Sequence, residues 1–215
     1  MSVYIILQLR GSQVGWCLEL PASPFDLAGG QDEKRSQRLR TGRGRNEVAN
    51  GSQYSGVCLM SEVEKNLAHL GITLPPAPRP VAAYLPYVQN GSLVFISGQL
   101  PSRDGKVLFQ GRVPSAQNID QAREAARVAA INAVAVLYEA CLRNWDRLDR
   151  IVKLTVFVAC EADFDRQPLV ANGASDLLVE IFGETGRHAR TAVGTNALPL
   201  GSTVEVELIA SVKPG

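Results

Sequence analysis

The sequence predicts an α+β fold, in which one sheet carries two helices on a single face. Helical and strand periodicities alternate along the chain in the order ββ-α-β-α-ββ. The longest helical segment is rich in alanine on its apolar side, which is typical of close packing onto a sheet. Apolar residues make up 46% and charged residues 20% of the 215-residue chain, enough to build a buried core. Because the second face of this sheet would expose a large apolar area, we expect further copies of the chain to cover it.

The chain divides near Met60 into two parts of different composition. Of 22 Lys+Arg and 21 Asp+Glu, seven and five lie in residues 1–59, so the remainder carries 15 and 16 and a net charge of −1. Residues 1–59 are interpreted as a poorly structured extension, with a basic RNA-binding arm as the alternative. The run that begins at Met60 resembles a natural protein start. We therefore hypothesise that 1–59 is a mis-assigned start and that 60–215 is the functional domain.

Three segments have helical periodicity, and they span Ser61–Leu70, Asp120–Leu142 and Arg166–Phe182. In the first, Ser61 followed three residues later by Glu64 is the pattern of a capping box. Gly183 is expected to end the third helix.

Five segments have the composition of strands, and they span Leu93–Ser97, Lys106–Phe109, Ile151–Ala159, Arg190–Thr195 and Thr203–Val212. Ile151–Ala159 is rich in β-branched residues, which indicates a central, buried strand. In the last segment Val204 and Val206 face one way, while Glu205 and Glu207 share the other face.

The last two strands are predicted to form a hairpin that brings Arg190 and Glu205 close together across the sheet. One interpretation is a cross-strand ion pair, which is common in sheets. The other is a guanidinium that binds a substrate carboxylate through two parallel hydrogen bonds, beside a carboxylate that handles a water or a proton. The spacing of fifteen residues does not choose between them.

Several classes of function find no support. The net charge of +1 argues against a nucleic-acid binder, and no apolar run is long enough to span a membrane. Four cysteines without paired short spacing and two histidines argue against a metal site, and no nucleotide-binding glycine motif occurs. Ser97 follows an apolar strand but lacks the motif of a serine nucleophile. These features indicate a soluble intracellular domain without cofactor or metal.

Residues 80–212 resemble the Rid family of enamine/imine deaminases, also known as the YjgF or L-PSP family. Five segments carry the resemblance: PYVQNG (86–91), FISGQLP (95–101), IVKLTVFV (151–158), HARTAV (188–193) and VEVELIA (204–210). Their combined order and spacing are specific to the family. The length of the domain resembles that of a branch whose domains are slightly longer.

This resemblance implies a chorismate-mutase-like sandwich with one mostly antiparallel sheet, assembled as a cytoplasmic homotrimer with clefts between subunits. It further implies hydrolysis of 2-aminoacrylate and related 2-imino acids to 2-oxo acids and ammonia, without metal or cofactor. The expected activity is that of a 2-iminobutanoate/2-iminopropanoate deaminase-type hydrolase.

The resemblance also assigns roles to residues. Arg190 corresponds to the residue that binds the substrate carboxylate, and Glu205 to the residue that positions water. Tyr87 and Ser97 correspond to residues that line the cleft, and Asn172 to a helix asparagine, offset by one residue.

One position departs from the family pattern, and three other functions stay open. Ala192 stands where the family often has a cysteine; since hydrolysis needs no covalent nucleophile, this bears on reactivity-based regulation. The alternatives are a non-catalytic small-acid-binding or regulatory protein, a ribonuclease-type translation inhibitor and a catabolic deaminase of an aminomuconate-like acid. A near-neutral domain with two histidines offers the ribonuclease alternative little support.

Overall fold

A five-stranded mixed sheet forms the centre of the computed structural model, which describes residues 60–77 and 83–214. In chain order the strands are β1 (Tyr87–Asn90), β2 (Leu93–Gln99), β3 (Ser102–Arg103), β4 (Lys106–Val107), β5 (Leu148–Ala159), β6 (Ala189–Thr195) and β7 (Val204–Val212). The sheet has the order β1-β2-β7-β5-β6, and β3 and β4 form a separate two-stranded ribbon. All neighbouring strands of the sheet are antiparallel except β5 and β6. The expectation of a mostly antiparallel sheet is thus met. The predicted extension 1–59 lies outside the described residues.

Three helices accompany the sheet: α1 (Glu62–His69), α2 (Ile119–Ala140) and α3 (Gln167–Phe182). The predicted capping box is present, since the Ser61 hydroxyl accepts from the Glu64 amide and the Glu64 carboxylate accepts from the Ser61 amide. Gly183, at φ 62°, ends α3 as expected. Within the described ranges, no helix combines the length and the apolar character needed to cross a membrane.

The helices pack against one face of the sheet. Helix α2 contacts β2 and β7, and α3 contacts β5 and β6. Between them lie fully buried strand residues from alternate positions, namely Val94, Leu154, Val156, Val158, Val204, Val206 and Ala210. Helix α1, a third helix beyond the two expected on the sheet, packs against α3, where the Asn66 side-chain amide donates to the Ile181 carbonyl.

The opposite face of the sheet is only partly buried. It presents apolar side chains of all five strands, namely Val88, Leu93, Phe95, Phe157, Val193 and Ile209, and we call these six residues the apolar face. Phe95 is 42% exposed. Glu205 and Glu207 lie on the same side of the sheet as the apolar face, as their alternation in the sequence predicts.

The predicted hairpin of the last two strands is wrong. Strand β6 pairs in parallel with β5, whose other edge pairs antiparallel with β7, so β5 lies between β6 and β7. A parallel pair requires a crossover, and α3 supplies it between β5 and β6. The connection around Pro199–Gly201 then passes β5 instead of forming a tight turn.

Two further strands differ from expectation. Lys106 and Val107 pair with β3 around Asp104 and Gly105, both at positive φ, so this hairpin stands apart from the main sheet. Strand β1 was not predicted, although Asn90-Gly91 after alternating residues is a hairpin signal.

The contact between α2 and α3 depends on Gly173, where a Cβ would collide with the backbone carbonyl of Arg123. We expect Gly173→Ala to lower the free energy of unfolding by about 1–3 kcal/mol, because the helices must separate to admit the methyl group. Urea denaturation at fixed protein concentration measures this. Glu180→Ala, on the same helix but at an exposed ion pair with Arg127, should change it by less than about 1 kcal/mol. Equal losses in both variants would contradict the close contact.

Candidate functional site

Arg190 lies on β6 at the edge of the sheet, with its side chain against α3. Its register with Leu154 places it on the helical face. Nη1 of the exposed guanidinium donates to Asn172 Oδ1 at 2.8 Å and to Ser175 Oγ at 3.1 Å. These two bonds use both hydrogens of Nη1. The N–H groups of Nε and Nη2 have no acceptor in the described parts of the chain, and they have the geometry of the parallel donor pair with which arginines in general bind carboxylates.

His188 supports this arrangement from the start of β6. Its Nδ1 lies 2.6 Å from the Gly186 carbonyl, which can only accept, so Nδ1 carries a proton. Burial lowers the pKa of His188, and the charge of Arg190 lowers it further, although the bond to Gly186 opposes both. The ring is therefore neutral at pH 7, and Nε2 accepts from the Ser175 hydroxyl at 3.2 Å.

Glu205 lies on β7, on the opposite side of the sheet from the helices, in register with Phe157. Its carboxylate rests directly on the Cα of Gly98, and any side chain at residue 98 would collide with it. Burial raises the pKa of this half-buried carboxyl, and the neighbouring Glu207 raises it further. The two glutamates thus interact across one strand face, as their spacing in the sequence predicts.

Ser97 lies on β2 next to Gly98, on which the Glu205 carboxylate rests. Tyr87 lies on β1, which does not pair with β7, and its register with the buried Ile96 places it on the helical face, away from Glu205. The Ser97 hydroxyl donates to the Leu85 carbonyl at 2.7 Å, and the Ser97 amide donates to the Pro86 carbonyl. Tyr87, paired with Ile96 across β1 and β2, is half-buried against the core. These two hydrogen bonds fix the position of Ser97 against the segment that leads into Tyr87.

The structure assembles the predicted site residues into two separate groups. Arg190 and Asn172 form the arginine group at the β6 edge, and Glu205 on the central strand β7 and Ser97 on β2 form the glutamate group. Tyr87, on β1 and on the helical face, joins neither group. Across β5, Arg190 and Glu205 are two strand spacings apart, about 10 Å, and about 10 Å apart along the strands. They also lie on opposite faces. The predicted approach of Arg190 to Glu205 across the sheet therefore does not occur within one chain, and neither does their ion pair.

Three residues of these groups were missed by the sequence analysis. Ser175 lies one helical turn after Asn172, so a test of i, i+3 neighbours on α3 would have found it. His188 lies within the HARTAV segment but had no assigned role. Gly98 lies within the FISGQLP segment but had no assigned role, since nothing local in the sequence indicates that a carboxylate rests on it.

Candidate metal ligands are scattered in the part of the chain that the structure describes. Residues 60–77 and 83–214 contain no cluster of three or more His, Cys, Asp or Glu side chains that could hold a metal ion.

Comparison with known proteins gives one family. A family model described as "YjgF/chorismate mutase-like, putative endoribonuclease" matches residues 64–212. Protein TCP17 of Trypanosoma cruzi is 41% identical over 157 residues, which are 73% of this chain and 98% of that protein. A 2-iminobutanoate/2-iminopropanoate deaminase of Dermatophagoides farinae is 28% identical over 142 residues, which are 66% of this chain and 95% of that protein.

Solved structures agree with the family model. The protein Atu1372 of Agrobacterium tumefaciens has a TM-score of 0.67 and 39% identity, over 71% of this chain and 93% of that one. A Shewanella oneidensis protein, titled "putative endoribonuclease", has a TM-score of 0.67 and 36% identity, over 69% of this chain and 98% of that one.

The effect of Glu207 on Glu205 can be tested directly. We expect Glu207→Gln to lower the pKa of Glu205, because the substitution removes the negative charge that disfavours ionisation of its neighbour. The pKa should stay above the usual range for glutamate, since burial is the larger cause. Carboxyl ¹³C NMR titration measures both. Glu139→Gln, at an exposed ion pair on α2, should leave the Glu205 titration unchanged, and a Glu207→Gln titration identical to wild type would contradict the coupling.

Proposed function

Because the chain belongs to the YjgF/chorismate mutase-like family, also called the Rid family, we propose that it hydrolyses reactive 2-imino acids and their enamine tautomers, such as 2-aminoacrylate. The products are 2-oxo acids and ammonia. One observation supports the proposal: among residues 60–77 and 83–214, Arg190 is held through Nη1 alone, which leaves its Nε and Nη2 hydrogens available to a substrate carboxylate. The named deaminase among the relatives agrees with this substrate class.

Binding follows from the geometry of the guanidinium. Two parallel hydrogen bonds from Nε and Nη2 hold both carboxylate oxygens of the substrate and fix its orientation. We propose that Asn172 belongs to the site because its side-chain oxygen accepts from Nη1 and so fixes the guanidinium. The imine carbon, one bond from the carboxylate, is then presented to an attacking water.

Hydrolysis needs a base, and we assign this role to Glu205. The water oxygen forms a bond to the imine carbon and the C=N π pair moves to nitrogen, while one water proton passes to the Glu205 carboxylate and from there to that nitrogen. In the resulting carbinolamine the hydroxyl proton passes through Glu205 to the amino nitrogen. The C–N bond then breaks with its electron pair on nitrogen, the C=O bond forms, and ammonia leaves. A raised pKa suits a residue that both accepts and returns a proton near neutral pH.

The proposed active site requires two copies of the chain. The arginine and glutamate groups lie on opposite faces of one sheet, with β5 between β6 and β7, so a cleft that contains both must join the arginine group of one copy to the glutamate group of another. We propose that the copies form a homotrimer whose apolar faces pack together. Ser97 then lines the cleft beside Glu205, and we propose that Tyr87 borders the cleft from the β1 edge. A cytoplasmic location remains a prediction.

Two other functions would use the same surfaces. A non-catalytic small-acid-binding protein needs Arg190 but gains nothing from a carboxyl group with a raised pKa, so Glu205 favours the enzyme. The second is RNA cleavage, since the family model and a solved structure carry the name endoribonuclease. An RNA-cleavage assay on the same preparation tests it.

Removing the guanidinium should abolish catalysis. We expect Arg190→Ala to lower the catalysed rate of imine hydrolysis by about 100-fold or more, because the substrate loses two charge-assisted hydrogen bonds. In the assay an amino-acid oxidase generates the 2-imino acid, and the release of ammonia is followed with and without the protein. Arg187→Ala, three residues earlier and ion-paired with Glu184, is the matched control and should retain activity. Undiminished rates in Arg190→Ala would refute the assignment.

The trimer can be tested through the apolar face. Phe95→Glu places a charge on this surface and should convert the assembly to monomers with loss of deaminase activity, because burial of an unpaired carboxylate is costly. Leu142→Glu, at a residue 68% exposed beyond the end of α2, should change neither property. Analytical ultracentrifugation measures the assembly. A wild-type monomer with full activity would contradict the shared cleft.

A further inference from the structure

We propose that Ser175 and His188 are positioning residues that fix the plane of the Arg190 guanidinium without touching the substrate. This inference rests on the proposed function, because it concerns how the same site grips a carboxylate. Neither residue belongs to the set that family resemblance assigned.

The three side chains form a directed series of hydrogen bonds. The Gly186 carbonyl accepts from His188 Nδ1, so His188 Nε2 offers a lone pair to the Ser175 hydroxyl. Since the Ser175 hydrogen points at His188, its oxygen lone pairs face Arg190 and accept from Nη1. Each group in the series has one role, and the backbone of Gly186 anchors its end.

Arg190 needs this second anchor because it is exposed. A guanidinium bonded only to Asn172 can pivot about that single hydrogen bond, and its long side chain has several rotamers of similar energy. A second acceptor on the same nitrogen removes the pivot. Because Asn172 and Ser175 lie one turn apart on α3, the rigid helix sets the direction of the Nε and Nη2 hydrogens.

The neighbourhood of His188 agrees with a neutral ring. Arg190 follows two residues later on β6, and the Arg150 guanidinium of β5 donates to the Arg187 carbonyl next to His188. On α3, the nearby Asp176 is ion-paired with Arg123. Among the described residues, no carboxylate bonds to the imidazole that would favour its protonated form.

The test compares binding with turnover in the full chain. Ser175→Ala should weaken binding of 2-oxobutanoate, used as the carboxylate probe, and raise KM by about 10-fold, the size of one hydrogen bond to a charged group. Because Glu205 and its water are untouched, kcat should change by less than about 3-fold. Ser175→Thr keeps the hydroxyl and should restore both values to within about 2-fold of wild type.

A double-mutant cycle tests whether His188 acts through Ser175. His188→Phe should weaken probe binding by about 3-fold, and Ser175→Ala/His188→Phe should bind no more weakly than Ser175→Ala alone. Ser115→Ala, which removes an exposed hydroxyl bonded to Glu161, is the matched control and should bind as wild type does.

Two kinds of failure can be told apart. Unchanged probe binding in Ser175→Ala, no recovery in Ser175→Thr, or additive losses in the double variant would overturn the positioning role while the deaminase activity stands. A wild-type chain that binds the probe without releasing ammonia would overturn the proposed hydrolysis, and the same variants would still test positioning through calorimetry. A wild-type chain that neither binds the probe nor releases ammonia would overturn both the positioning role and the proposed hydrolysis.

Discussion

The position of β5 between β6 and β7 is the constraint on which the rest of this structure depends. It separates Arg190 from Glu205 by two strand spacings and puts them on opposite faces of the sheet. Neither charge can therefore neutralise the other within one chain. Among the described residues, neutral side chains hold Arg190 through Nη1, which leaves its other edge as a pair of donors without an acceptor. Glu205 keeps a raised pKa because it is half-buried and lies beside the like-charged Glu207.

Small groups position both charges. Gly98 lacks a side chain, so the Glu205 carboxylate can rest on the backbone in a half-buried place where ionisation is disfavoured. Amide and hydroxyl oxygens on α3 hold Arg190 without adding charge. Carboxylates in those positions would have tied up the guanidinium in an ion pair and left nothing for a ligand. The chemistry available here thus depends as much on uncharged residues as on the two charged ones.

Local sequence signals predicted the helices well and the strand connections poorly. The capping box of α1 and the glycine that ends α3 are short-range features, and both lie where the sequence placed them. Strand β6 pairs with β5 because α3 crosses over between them. The residues around Pro199–Gly201 look like a tight turn in the sequence and do not indicate that β6 and β7 are separated by β5. The family resemblance drew attention to Arg190 and Glu205. It could not reveal Ser175, because its contact with Arg190 depends on how α3 is rotated against β6.

A guanidinium whose Nη1 is fully engaged has consequences for ligand shape. The remaining donor edge is flat, and a carboxylate gripped by it must become coplanar with it. Conjugated acids, in which the carbon next to the carboxylate is trigonal, can lie entirely within that plane. Ordinary amino acids have a tetrahedral carbon there and must project two substituents out of it. A narrow slot continuing this plane would therefore exclude an abundant class of cellular metabolites and admit their short-lived, unsaturated derivatives.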